Sequence, residues 1–260
     1  MALKNILVHL DSTPQSPQRY DLALLLAKQH QACLTAFYST DSAYFSRGGE
    51  KPQWDAARAD CTDKAALAGV EFDWAESDKK EATLPLTTRV LYQATYADLV
   101  IVGQPGKQPP PPRELPERLI LASGHPVITV PFVGNFKTIG NRVMVAWKAG
   151  RASARALSDA IPFLAQAKEV ILISFATTLD EHNENERSQD KMVRYLRRHD
   201  IDAKLESFLI ADISLGDALL NRTAENGIDL LVCGGMVATQ LAPLAQHLLQ
   251  QMTVPVLMSS

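Results

Sequence analysis

Asp98-Leu99-Val100-Ile101-Val102-Gly103 is written twice in this chain. It returns as Asp229-Leu230-Leu231-Val232-Cys233-Gly234, 131 positions on. Each copy has an acidic residue, four apolar and mostly branched residues, and a glycine at the exit. A short apolar run closed by a turn signal reads as a strand buried on both faces of a parallel sheet. The glycine permits a sharp turn or a close approach to the backbone. The acidic residues, just outside the apolar run, are expected to serve the start of the strand and no chemistry.

Working outward, the segments before and after each copy repeat as well. In the first half the expected strands are Asn5 to Leu10, Ala32 to Tyr38, Val70 to Trp74, the opening stretch, and Pro126 to Val130. Helices are expected after Ser16-Pro17, which reads as an N-cap and a first-turn proline, then over Gln53 to Leu67, Leu86 to Thr95 and Leu115 to Ala122. Ser39 to Lys51 reads as a loop. In the second half the strands are Arg142 to Trp147, Glu169 to Ala176, Ala203 to Ile210, the second copy, and Val254 to Met258. The helices are Ala152 to Ala165, Glu184 to Arg198, Ser214 to Asn226 and Leu241 to Gln251. Ser214 caps the third of these and Gly227 stops it. Val8 matches Val145, Asp11 matches Lys148 and Ala23 matches Ala160, all at an offset of 137, whereas Pro126 matches Pro255 at 129. The drift places insertions and deletions in loops. Each half is therefore (βα)₄β, with residues 1–131 as domain one, 132–140 as linker and 141–260 as domain two.

Bulk composition excludes several classes. The chain has 260 residues, 46% hydrophobic and 21% charged, with a net charge of −3. Two halves of this length can each bury a core. Nothing in the charge points to nucleic acid or an anionic membrane, and no apolar run approaches a membrane span. The N-terminus lacks the features of a signal peptide. Cys33, Cys61 and Cys233 form no CxxC and are expected as free thiols in a reducing, cytoplasmic setting. Metal-ligand spacing, a GxSxG elbow and a GxxxxGK[ST] loop are all missing.

Right-handed crossovers turn each half into a three-layer α/β/α domain around a parallel sheet. The expected order is 3-2-1-4-5, because Val70 to Trp74 alternates and suits an outer strand. Strands 1 and 4 then meet where the winding reverses, and ligands bind in such folds outside the carboxyl ends of those strands. The first crevice is expected at Asp11, Ser12, Thr13, Gly103 and Gly106, the second at Gly234 and Gly235.

These pieces, in this order and in two copies, resemble the universal stress protein family in its tandem form. The resemblance is carried by Ile6-Leu7-Val8-His9-Leu10-Asp11-Ser12, Ala97 to Gly103 and Gly124-His125-Pro126-Val127-Ile128. In the second half it is carried by Val143 to Trp147, Asp229 to Gly235, and His247 to Val256. It covers nearly the whole chain. It implies an adenine nucleotide alpha hydrolase-like fold and a cytoplasmic stress-response or regulatory module. It further implies that the halves pair through their last strands, and that this pseudo-dimer can dimerise again as a homodimer. Some members bind ATP or another adenine nucleotide and others do not, so slow ATP hydrolysis is the one activity to consider.

The ATP-binding members resemble one another in a motif after strand 4: glycine, two residues, glycine, nine residues, glycine, then serine or threonine. Such a loop cradles phosphates with bare N–H groups and a hydroxyl at a helix N-terminus. Asp11, Gly103 and Gly106 match its first elements. Pro116-Glu117 stands where the last pair belongs, or Arg113-Glu114 if the count runs back from Pro126. Neither supplies glycine and a hydroxyl, proline has no N–H to donate, and Pro109 to Pro112 stiffen the loop. In the second half Lys148 replaces the aspartate and Val237 the second glycine, while Arg151 and Arg155 add positive charge nearby. Two readings follow: a module degenerate for ATP, or a nucleotide-binding module that uses Asp11, Gly103 and Gly106. His9 is expected as a hydrogen-bonded structural histidine and His125 as a turn residue.

Overall fold

The computed structural model describes residues 2–39, 51–76, 83–105 and 114–260, with the side chains of 51–53 left aside. Gly106, Arg113, the four prolines and most of the expected loop from Ser39 to Lys51 lie outside the described residues. The chain divides into two compact units, Ala2–Lys137 and Thr138–Ser260.

The first unit runs β1 (Asn5–Leu10), α1 (Ser16–His30), β2 (Cys33–Tyr38), α2 (Lys51–Ala68), β3 (Phe72–Ala75), α3 (Leu86–Ala94), β4 (Leu99–Gly103), α4 (Leu115–Ala122) and β5 (Val127–Val130). Its strands are parallel in the order β3-β2-β1-β4-β5. The second unit runs β6 (Arg142–Ala146), α5 (Arg151–Leu164), β7 (Glu169–Ala176), α6 (Leu179–Arg197), β8 (Lys204–Leu209), α7 (Leu215–Glu225) and β9 (Leu230–Gly234). It ends with β10 (Met236–Val237), β11 (Gln240–Leu241), α8 (Pro243–Gln251) and β12 (Val256–Ser259). Its parallel order is β12-β9-β6-β7-β8. That is the same winding, with the first strand of the unit beside the fourth.

The repeated stretch is central in both units. Leu99 to Val102 and Leu230 to Cys233 are buried, as continuous apolar strands of an α/β sheet must be. The acidic residue in front does the same work in each. Asp98 Oδ2 accepts the N–H groups of Lys4 (2.7 Å) and Asn5 (2.9 Å). Asp229 accepts those of Arg142 (2.9 Å) and Asn141 (3.2 Å). Each aspartate thus pins the start of the neighbouring first strand.

Three local expectations need correction. Ser16 is not the cap of α1: it is its first helical residue, buried, and its hydroxyl oxygen accepts the Asp11 N–H at 3.1 Å. The helix of Glu184 to Arg198 begins earlier, because Thr178 caps it by accepting the Glu181 N–H at 3.2 Å. The stretch Thr178-Leu179-Asp180-Glu181 carries the sequence form of a capping box. A two-stranded antiparallel turn, β10 with β11, delays the last helix to Pro243. Ser214 does cap α7, taking the Asp217 N–H at 3.1 Å. Gly227 follows that helix at φ 56°, a left-handed conformation suited to glycine.

Candidate functional site

In the first unit β1 ends on His9 and Leu10, Asp11 follows it directly, and α1 then brings Arg19 back over the strand end. Arg19 lies in phase with Leu22, Ala23, Leu26 and Ala27, so helical spacing turns its long side chain inward, where it is only 3% exposed. A buried guanidinium requires a partner. It has one: Arg19 Nη2 donates to Asp11 Oδ2 at 2.8 Å. The other carboxylate oxygen, Oδ1, accepts the Thr13 N–H at 2.9 Å and also the Thr13 hydroxyl. Burial alone would push the Asp11 carboxyl up. The adjacent guanidinium and the Thr13 bonds outweigh it and hold the group below its ordinary value.

The same guanidinium covers Gly103. A methyl group at that glycine would overlap Arg19 Nη1. Beyond Gly103 the backbone is committed: the Gln104 N–H donates to Val130 O at 2.8 Å. Gln104 Oε1 accepts the Phe132 N–H at 3.1 Å. At the place where the phosphate motif requires glycine and a hydroxyl stands the first turn of α4. It holds buried Pro116 and the acidic Glu117. A carboxylate there complements the helix dipole and opposes a phosphate. The described residues at this place do not fit the phosphates of a nucleoside triphosphate.

His9 is fully buried and its Nε2 donates to Ser39 O at 3.0 Å, the acceptor being a carbonyl. Burial lowers its pKa to about 4, against the raising effect of the Asp11 carboxylate. The imidazole is therefore neutral near pH 7, with Nδ1 4.0 Å from Asp11 Oδ2. Asp11, Ser12, Thr13 and Ser16 also line a cavity of about 200 Å³ that reaches Tyr20 and Cys61. The structure thus gathers Asp11, Thr13 and Gly103 around Arg19. Arg19 was missed by motif counting. The signal was available: a single cation in step with an apolar helical stripe.

In the second unit the corresponding positions are Lys148 for Asp11 and Ala156 for Arg19. Gly234 meets the start of α5 directly: a methyl there would lie 2.8 Å from the carbonyl carbon and Cβ of Ala152. Gly235 is also committed, donating its N–H to Ser259 O at 2.8 Å and accepting from the Ala242 N–H at 3.0 Å. Beside these glycines opens a cavity of about 510 Å³, walled by Trp147, Ile173, Phe175, Leu219, Met236 and Leu244 among others. At its rim Lys148 Nζ donates to Glu181 Oε1 at 2.7 Å. That bond and the Thr177 N–H keep the Glu181 carboxyl below its usual range. Cys233 in the wall is buried, and desolvation raises its thiol to about 12, so it carries no charge. Among the described residues no cluster of three His, Cys, Asp or Glu could hold a metal, and no helix is long and apolar enough to cross a membrane.

No protein-family model and no curated protein matches this chain. Solved structures do. A universal stress protein from Archaeoglobus fulgidus DSM 4304 superposes with TM-score 0.73 at 15% identity, over 98% of each chain. The chain has the universal stress protein fold. A functionally unknown protein from Pseudomonas aeruginosa PAO1 matches with TM-score 0.65 at 15% identity, over 99% of this chain and 92% of that one. The cytoplasmic domain of a prokaryotic cation chloride cotransporter matches at 0.59 and 11% identity, over 98% and 94%. A fold shared that widely leaves function to the sites.

Proposed function

We propose that the chain is a tandem universal stress protein, a cytoplasmic stress-response or regulatory module with a degenerate nucleotide crevice. The carrying observation is Arg19, which joins Asp11 and covers Gly103. A nucleotide would have to displace a buried ion pair, and removing one partner of such a pair leaves the other uncompensated. The acid at the start of α4 and the committed amide of Gln104 support the same reading. The protein acts on partners by binding and not by catalysis. Within the chain, the two domains (1–131 and 141–260) pair through β5 and β12. Each of these is an apolar edge strand of its own unit, and such an edge needs covering.

Calorimetric titration with ATP and with ADP tests the crevice. No heat of binding is expected up to millimolar nucleotide. Submillimolar binding that Asp11→Ala abolishes would overturn the reading in favour of a nucleotide-binding module using Asp11 and Gly103. Small-angle scattering tests the assembly. Paired halves give a compact particle with a radius of gyration of about 18 Å, or twice the chain mass for a homodimer. An extended two-body profile would remove the pairing.

A further inference from the structure

We propose that the cavity at the carboxyl end of the second unit's sheet is a binding site for an uncharged, predominantly apolar small molecule. The inference goes beyond the reading above, which concerns nucleotide and the first unit. Its volume, about 510 Å³, falls in the range of small-molecule sites, roughly 300–1,000 Å³. The wall is mostly aromatic and aliphatic, with Trp147, Ile173, Phe175 and Leu219 on the inside. The wall is open to water, so an apolar occupant that displaces that water removes both its own and the lining's apolar surface from solvent.

The charge of the occupant follows from the rim. Lys148, Glu181 and Cys233 are the titratable residues of the lining. Lys148 and Glu181 neutralise one another at 2.7 Å, and the Cys233 thiol is protonated, its ionisation opposed by burial. No uncompensated cation remains among the described lining residues to receive a phosphate or carboxylate. The backbone amide of Gly235 is engaged with Ser259 O, so no bare N–H of that glycine replaces it. Hydroxyls of Ser153, Ser174 and Thr177 are the polar handles of the wall. Of these, Ser174 Oγ already donates to Ser207 Oγ at 3.2 Å, leaving its oxygen to accept from a ligand hydroxyl or N–H.

The test uses N-phenyl-1-naphthylamine, a neutral apolar fluorophore with one N–H, on the full chain. Saturable, one-to-one enhancement of its emission is expected, with 1 mM ATP failing to displace it. Ala146→Leu puts three extra carbons into the lining, and Ala242→Leu does so at the half-exposed start of α8. Each should weaken probe binding at least about tenfold while the urea midpoint stays close to wild type. Ala242→Leu keeps the test decisive where Ala146→Leu fails to fold. Absent saturation, unchanged affinity in a folded variant, or displacement by ATP would each overturn the proposal. The first two would leave the nucleotide reading of the first unit standing. The third is separated from failure of that reading by the calorimetric control at Asp11.

Discussion

At the exit of β4, Gly103 faces a guanidinium; at the exit of β9, Gly234 faces the backbone of a helix. Both glycines lie where this winding places ligands, and both give their space to the chain itself. In the first unit Asp11 and Arg19 fill the crevice together. In the second, Lys148 and Ala156 stand at the same register, so the acid and the base are lost as a pair. The start of α5 closes on Gly234, and the free volume moves to an apolar cavity beside it. A glycine at a ligand position is therefore evidence of close approach, not of what approaches. The difference lies in the nine residues from Asp11 to Arg19, which carry an acid and a base where residues 148–156 carry Lys148, Arg151 and Arg155 and no acid.

The largest effect should come from breaking the first crevice. Arg19→Ala leaves Asp11 buried without its guanidinium, and about 3–5 kcal/mol of stability at pH 7 should be lost, read from urea unfolding. In the wild type the Asp11 carboxyl sits below its ordinary value. Its contribution is present above the unfolded pKa and lost as pH falls through the folded one. In Arg19→Ala, burial is no longer opposed by that cation and raises the carboxyl, so the penalty should shrink as the pH is lowered. Asp11→Ala with Arg19→Ala together should cost less than the sum of the single changes. Additive costs would mean that the two side chains stabilise the unit separately.

Next in size is the histidine that only the first unit buries at this place; Ala146 stands at its register in the second. The folded pKa of His9 is about 4 against an ordinary 6.5. The unfolded chain binds the proton first, so stability should fall as pH drops from 6.5 to 4, by about 3 kcal/mol in all. The Asp11 loss begins below that window. His9→Gln keeps a donor for Ser39 O and should flatten the acid limb of the stability curve between pH 6.5 and 4. An unaltered slope in the variant would place that acid sensitivity elsewhere.

Most of the fold was readable because period and repetition are coarse signals. A buried parallel strand needs only an apolar run, and two copies of β4 at one spacing fix its neighbours. The aspartates before β4 and β9 were placed correctly at the strand starts for the same reason. The site was less readable. Asp11 and Gly103 stand out in the sequence, yet the side chain that joins them, Arg19, belongs to no motif and shows itself only by its phase on α1. Ser16-Pro17 has the form of a cap, but the turn at Thr13 brings Ser16 under Asp11 instead, and tertiary demand for an acceptor there prevails over local form. The cavity of the second unit is an absence of atoms between elements far apart in the chain, and no window of sequence encodes it.

The smallest effect separates two serines that both read as helix caps in the sequence. Ser214 caps α7 by accepting the Asp217 N–H, with little burial; its counterpart in the first unit is Pro85, which offers no side-chain cap to α3. Ser214→Ala should therefore cost about 1 kcal/mol, the usual effect of a lost cap. Ser214→Asn should restore most of it, because its amide oxygen accepts the same bond while its NH2 can replace the hydroxyl's donation to Asp217 Oδ2 (2.6 Å). At Ser16 the outcome should invert. Ser16→Ala leaves the buried Asp11 N–H without an acceptor, about 1–3 kcal/mol. Ser16→Asp should not rescue it, since a second carboxylate would be buried beside Asp11. Thermal unfolding of the four variants reads the contrast, and rescue at both serines would assign Ser16 the capping role that its position only imitates.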